Sequence, residues 1–201
     1  IICIDFGHGD TVASYVDLNI SNEPMPLNIN LAQEKALKKI SSVIYKVPIE
    51  GGYIYSLVST QGKALAYFKG RIDKNAQNDE RQIAFGEFVK QVFDRIKTNN
   101  KEVFYVNGDE NSPLRDFKLY IAAPTKWTYE EKQVYKEFIE NALGHRIEWV
   151  INESDAAFYN HRPNDNVLIG NVLIIDYGSS TIDYTLMIDN KKAPIDYLAN
   201  Q

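Results

Sequence analysis

Two short stretches near opposite ends of the chain carry the same pattern. Ile2-Cys3-Ile4-Asp5-Phe6-Gly7 is an apolar run ending in Asp, an aromatic and Gly, and Leu173-Ile174-Ile175-Asp176-Tyr177-Gly178 repeats it. Apolar runs of this length read as strands, so each Asp stands at a strand tip beside a tight turn. Glycine permits positive φ and lets backbone N–H groups approach a ligand closely. Such a turn can cradle phosphate oxygens with its amides. A carboxylate beside a phosphate is repelled unless a cation lies between them. Mg²⁺, which keeps several waters and touches few protein groups, is the usual one. Two such turns facing one another would clamp a Mg-nucleotide from both sides. A single Asp-x-Gly turn is common hairpin chemistry; the occurrence of a pair is what favours the nucleotide reading.

The elements that must position these tips follow from periodicity and punctuation. Gly7-His8-Gly9 leads into a strand-like stretch over residues 11–20, which predicts a β-hairpin. Residues 21–30 are rich in Pro and Asn and read as loop, and residues 31–40 have helical propensity over a short span. Residues 41–47 and 53–59 read as strands joined by Pro48-Ile49-Glu50-Gly51-Gly52. Phe85, Phe88, Val89, Val92, Phe93 and Ile96 fall on one face of a helix predicted over 79–97. Residues 103–106 and 116–123 read as strands, the second stopped by Pro124. Thr128 and Glu131 have capping-box spacing, and Gly144 stands where a C′ glycine belongs, which predicts a second helix between them. A strand over 147–151, a short helix over 155–159 and strands over 171–176, 181–188 and 193–198 complete the chain.

The order of these pieces resembles the seventy-kilodalton heat-shock chaperones and, more loosely, the bacterial actins, both of the actin-like ATPase superfamily. The first turn resembles their phosphate-1 loop. Leu119-Tyr120-Ile121-Ala122-Ala123-Pro124 and the second helix follow in the family's order. Asn152-Glu153-Ser154-Asp155-Ala156-Ala157 resembles the connect-1 helix, and Asp176-Tyr177-Gly178-Ser179-Ser180-Thr181-Ile182-Asp183 the phosphate-2 loop. The fold this implies is α/β: a ribonuclease-H-like (actin-like ATPase) lobe with a mixed sheet and flanking helices, a small β-rich insert and the start of a second lobe. Residues 1–22 and 78–170 would form the first lobe, 23–77 the insert and 171–201 the start of the second.

The resemblance also implies site roles. Asp5 and Asp176 would hold the waters around Mg²⁺. Gly7, His8 and Gly9 would line the β-phosphate of ATP or ADP from one lobe, and Gly178, Ser179, Ser180 and Thr181 the phosphates from the other. Glu153 would stand near the metal and the attacking water; the alternative is a solvated charge at a helix N-terminus. Asp183 reads equally as a strand-edge carboxylate or as the end of a Thr-x-Asp motif. The chaperones carry a catalytic lysine in the insert, and Tyr67-Phe68-Lys69-Gly70-Arg71 resembles its surroundings; Lys69 is the candidate and Lys63 the alternative. Two departures stand out. His8 and Gly9 replace the two hydroxyl residues usual after the first Gly, with Thr11 the nearest hydroxyl, and Ser179-Ser180 replace glycines in the second loop.

The family hydrolyses ATP. This chain is expected to lack the rest of the second lobe and its adenosine motif, hence to bind ATP weakly and to turn it over negligibly. Native partners would then be the missing lobe and a polypeptide client or co-chaperone, and the exposed C-terminal edge would invite dimerisation. An actin-like filament or scaffold protein and a sugar-kinase-type phosphotransferase are the other readings. The 201 residues are 44% hydrophobic and 24% charged, as in soluble globular proteins. A net charge of -5 with scattered Lys and Arg argues against nucleic acid. Cys3, alone, excludes an internal disulfide and reads as a buried inert thiol in a reducing, cytoplasmic setting. No apolar run approaches the ~20 residues of a membrane span.

Overall fold

The computed structural model describes residues 1–30, 38–58, 61–66, 70–76, 79–161, 171–178, 182–188 and 191–192. In chain order the strands begin with β1 (Ile2–Phe6), β2 (Asp10–Tyr15), β3 (Met25–Pro26) and β4 (Lys39–Ser41). A small three-stranded sheet follows, made of β5 (Val43–Ile49), β6 (Gly52–Ser56) and β7 (Lys63–Ala66) in the order β6-β5-β7. Helices α1 (Glu80–Asn99) and α2 (Lys101–Phe104) lead to β8 (Leu119–Ala123). Then come α3 (Tyr129–Leu143), β9 (Ile147–Asn152) and α4 (Glu153–His161). A third sheet joins β10 (Val172–Tyr177), β11 (Ile182–Ile188) and β12 (Lys191–Lys192).

The molecule is a mixed α/β protein. Its main sheet runs β3-β2-β1-β8-β9, with β4 also paired to β2. β1 is antiparallel to β2 and parallel to β8, and β8 is parallel to β9. Side chains alternate across β1: Ile2, Ile4 and Phe6 are buried in the core, while Cys3 and Asp5 take the other face and are half-buried. The α1 stripe covers the Phe6 side. Phe85 meets the Phe6 ring edge-on at 6.3 Å and stacks on Phe138 of α3 at 5.6 Å. Asp79 caps α1 by accepting from the Arg81 N–H. Thr128 and Glu131 form the full capping box of α3, and Gly144 closes it at φ 61°.

Several boundaries depart from the sequence expectation. The strand predicted to reach residue 20 ends at Tyr15, because Asp17 starts a turn: its carboxylate accepts from the Asn19 N–H at 3.0 Å and its carbonyl from the Ile20 N–H at 2.9 Å. The strand predicted over 103–106 is instead α2 followed by a 3-10 turn at Val106–Gly108. Asn100 causes this. Its side-chain amide donates to the Ile96 and Asn28 carbonyls, so the chain turns and re-enters a helix. Phe104 is thereby set against Phe93 and Phe117. The strand predicted from 116 starts at Leu119, α4 starts at Glu153 rather than 155, and β7 was not anticipated. Residues 23–42, expected in the insert, contribute β3 and β4 to the main sheet and Leu27, Ile29 and Ile40 to its core. Most of the helical stretch at 31–40 and the strand at 193–198 lie outside the described residues.

In the third sheet, Asp176 stands directly opposite Asp183, and Ile174 opposite Thr185. Thr185 and Met187 on this face are buried. The other face turns Leu173, Ile175, Tyr177, Ile182 and Tyr184 to solvent.

Candidate functional site

The parallel strands β1, β8 and β9 end at the same edge of the main sheet. In open α/β sheets this carboxyl edge is where ligands bind. Beyond it lies a cleft of about 380 Å³, lined by Asp5, Gly7, His8, Gly9 and Asp10 from the first turn and by Asp176, Tyr177, Gly178 and Asp183 from the third sheet. Pro124, Lys126 and Trp127 after β8 and Glu153 at the start of α4 complete the lining. The two Asp-aromatic-Gly tips, 171 positions apart in the chain, thus face one cleft.

The first turn is compact and braced from below. A Cβ built on Gly7 would lie 2.2 Å from the Asp10 carbonyl oxygen, so no side chain fits without opening the turn. Gly7 does not use the left-handed backbone that the sequence suggested; its φ lies outside that region, and close approach is the reason for glycine. The Ser42 hydroxyl donates to the Gly7 carbonyl at 2.6 Å, and the Ser42 N–H donates to the Gly9 carbonyl at 2.7 Å. The Thr11 and Ser42 hydroxyls share a buried hydrogen bond of 2.9 Å. Thr11, the hydroxyl nearest the first Gly in sequence, is fully buried and supports the turn rather than lining the cleft.

Glu153 is fixed by its neighbours. The Thr125 hydroxyl lies 2.7 Å from that of Ser154 and accepts from the Ser154 N–H at 3.2 Å, tying the start of α4 to the loop after β8. Lys132 donates to Asn152 Oδ1 at 2.6 Å, and the Asn152 amide donates to Asp155 at 2.5 Å. The last residue of β9 and the first turn of α4 are therefore held against α3.

The cleft is acidic. Asp5, Asp10, Glu153, Asp176 and Asp183 line it, and Lys126 is the one lysine or arginine among its described lining residues. Asp10 is paired with Lys39 at 2.8 Å. Like charges placed opposite each other across a strand pair, as Asp176 and Asp183 are, destabilise the sheet, and the Lys126 ammonium, 3.3 Å from Asp183, offsets part of this. The charge of Asp5 is also felt at Cys3: burial first, and then the neighbouring carboxylate, push the thiol up to about 11. That thiol is an inert one.

A divalent ion can be tested against this donor set. Among the described residues, no three His, Cys, Asp or Glu side chains gather closely enough to hold a metal by themselves. Separate carboxylates on separate turns instead suit a cation that retains its water and takes few direct protein ligands, which is the chemistry of Mg²⁺.

Of the residues singled out from sequence, Asp5, Gly7, His8, Gly9, Glu153, Asp176, Gly178 and Asp183 share the cleft. Lys69, Ser179, Ser180 and Thr181 lie outside the described residues. Lys63 is on β7, 3.9 Å from Glu80, and does not line the cleft. Sequence reasoning missed Asp10, Ser42, Lys126 and Trp127, and gave Pro124 no place at the site. The available signal was Pro124, which stops the strand before it and so marks the residues after it as the carboxyl edge of the sheet.

No family model matches the chain, and no curated protein matches it. The functional reading therefore rests on the geometry of the cleft.

Proposed function

We propose that the chain is part of an ATP-binding, ATP-hydrolysing domain of heat-shock-70-like type, with Mg-ATP held between its two Asp-x-Gly turns. One observation carries the reading: both turns and Glu153 line a single acidic cleft at the carboxyl edge of the parallel strands. The strand order supports a ribonuclease-H-like lobe, since an antiparallel β3-β2-β1 meander continues into parallel β8 and β9.

In this reading the amides of Gly7, His8 and Gly9 face the phosphates from one side, held in place by Ser42. Gly178 faces them from the other. Asp5 and Asp176 orient the water around the metal, and Glu153, anchored through Ser154 and Thr125, orients the attacking water. Bound Mg²⁺ would supply charge neutralisation to the phosphates. Lys69, as an insert-borne point charge, belongs to the same proposal.

Equilibrium binding tests it. Saturable, Mg²⁺-dependent binding of ATP, abolished by a chelator and absent for adenosine alone, is the expected result. No binding at millimolar Mg-ATP would overturn the reading.

A further inference from the structure

We infer that Lys126 is a phosphate-binding cation of the cleft, the side chain that meets the most negative end of a bound polyphosphate. This rests on the nucleotide reading above and adds a residue to it. The electrostatics require such a group. Five carboxylates line the cleft; Asp10 is paired with Lys39, and Asp183 with Lys126 itself. A polyanion entering there needs more positive charge than one divalent ion brings. Lys126 is the lysine or arginine that the described lining provides.

Its backbone is anchored on both sides. Thr125 is tied to Ser154 at the start of α4. Trp127 is buried, with its ring edge-on to Tyr135 at 5.3 Å and its N–H donating to the Pro124 carbonyl at 3.1 Å. Between these two anchors the Lys126 ammonium reaches across the cleft to Asp183 Oδ1 at 3.3 Å, joining the loop after β8 to β11. That distance is long for a charge-assisted bond. The lysine side chain is also 54% exposed, so the pair contributes little to stability. A long bond from an exposed ammonium is one that a phosphate oxygen displaces readily. The bond to Asp183 thus parks the ammonium over the cleft and releases it to a better acceptor.

The test compares wild type, Lys126→Met and Lys126→Arg for binding of Mg-ATP, with thermal unfolding of each in parallel. Lys126→Met should weaken Mg-ATP binding roughly tenfold or more, the loss expected for a hydrogen bond to a charged group. Its melting temperature should stay that of wild type, and Lys126→Arg should restore most of the affinity. Mg-ATP should also protect Lys126 of the wild type from amine acetylation, read by mass spectrometry. Wild type that binds Mg-ATP while Lys126→Met binds it equally well overturns this assignment and leaves the nucleotide reading standing. Wild type that binds no Mg-ATP removes the nucleotide reading, and this assignment falls with it.

Discussion

Replacing Gly7 by alanine tests whether the first turn is as tight as its geometry requires. The added methyl would lie 2.2 Å from the Asp10 carbonyl oxygen and 3.4 Å from the carbonyl carbon. Relief needs a shift of about an ångström, since non-bonded heavy atoms prefer roughly 3.5 Å or more. Asp10 cannot move freely, because it pairs with Ser41 in β4. Opening the turn from the other side stretches the two bonds from Ser42 to the Gly7 and Gly9 carbonyls. Overpacking costs about 1–3 kcal/mol and each weakened hydrogen bond about 1 kcal/mol. A loss of about 3 kcal/mol corresponds to a fall in melting temperature of roughly 6–12 °C for a chain of this size. Gly52→Ala is the control. Its Cβ meets nothing within 4 Å and its φ is outside the left-handed region, so it should melt within a degree or two of wild type. Thermal unfolding by circular dichroism reads both. Equal melting of Gly7→Ala and Gly52→Ala would refute the steric argument.

Other outcomes follow from the same geometry. Ser42→Ala and Thr11→Val each remove half of a buried hydroxyl pair, and in urea unfolding the double variant should lose less than the sum of the singles, with a coupling of about 0.5–3 kcal/mol; strict additivity would show that the hydroxyls act separately. The Cys3 thiol, raised to about 11 by burial and by Asp5, should alkylate slowly at neutral pH and faster as pH climbs toward that value, and Asp5→Asn should speed it; rapid alkylation at pH 7 would contradict the burial. Because the folded thiol holds its proton more tightly than the unfolded one, its stabilising contribution is complete below the ordinary thiol value of 9.0 and is lost as pH rises from there through about 11. Asp5→Asn should also weaken the Mg²⁺ dependence of ATP binding, with affinity for metal-free ATP no worse than in wild type, since one repelling carboxylate is gone; an unchanged Mg²⁺ dependence would remove Asp5 from the site.

The parts of the molecule written in local chemistry could be read directly. The α3 helix is announced by Thr128, Glu131 and Gly144, and α1 by its apolar stripe, because capping and period act within a few residues. The two acidic strand tips were visible as an echo, and the topology brings them to one cleft. What was hidden depends on contacts between distant residues. Asn100 looks like a helix stop, but it bonds back to Ile96 and across to Asn28, and a second helical turn follows. Thr11 is the hydroxyl nearest the first Gly in sequence, and nothing local announces that Ser42, 31 residues on, takes that hydroxyl into the core. Lys126 has no local signature at all. Its interest comes from the acidic walls around it and from Asp183, which approach only in three dimensions.

The central claim is that both acidic turns serve one metal-nucleotide. Mn²⁺ shares the oxygen ligands and octahedral preference of Mg²⁺ and broadens nearby NMR signals. Adding Mn-ATP to ¹⁵N-labelled protein should broaden the amides of Gly7, His8 and Gly9 together with those of Glu153, Tyr177 and Gly178, and spare those of Gly86, Lys90, Val134 and Phe138, which line a separate groove between α1 and α3. Broadening confined to one turn, or centred away from both, would contradict the account.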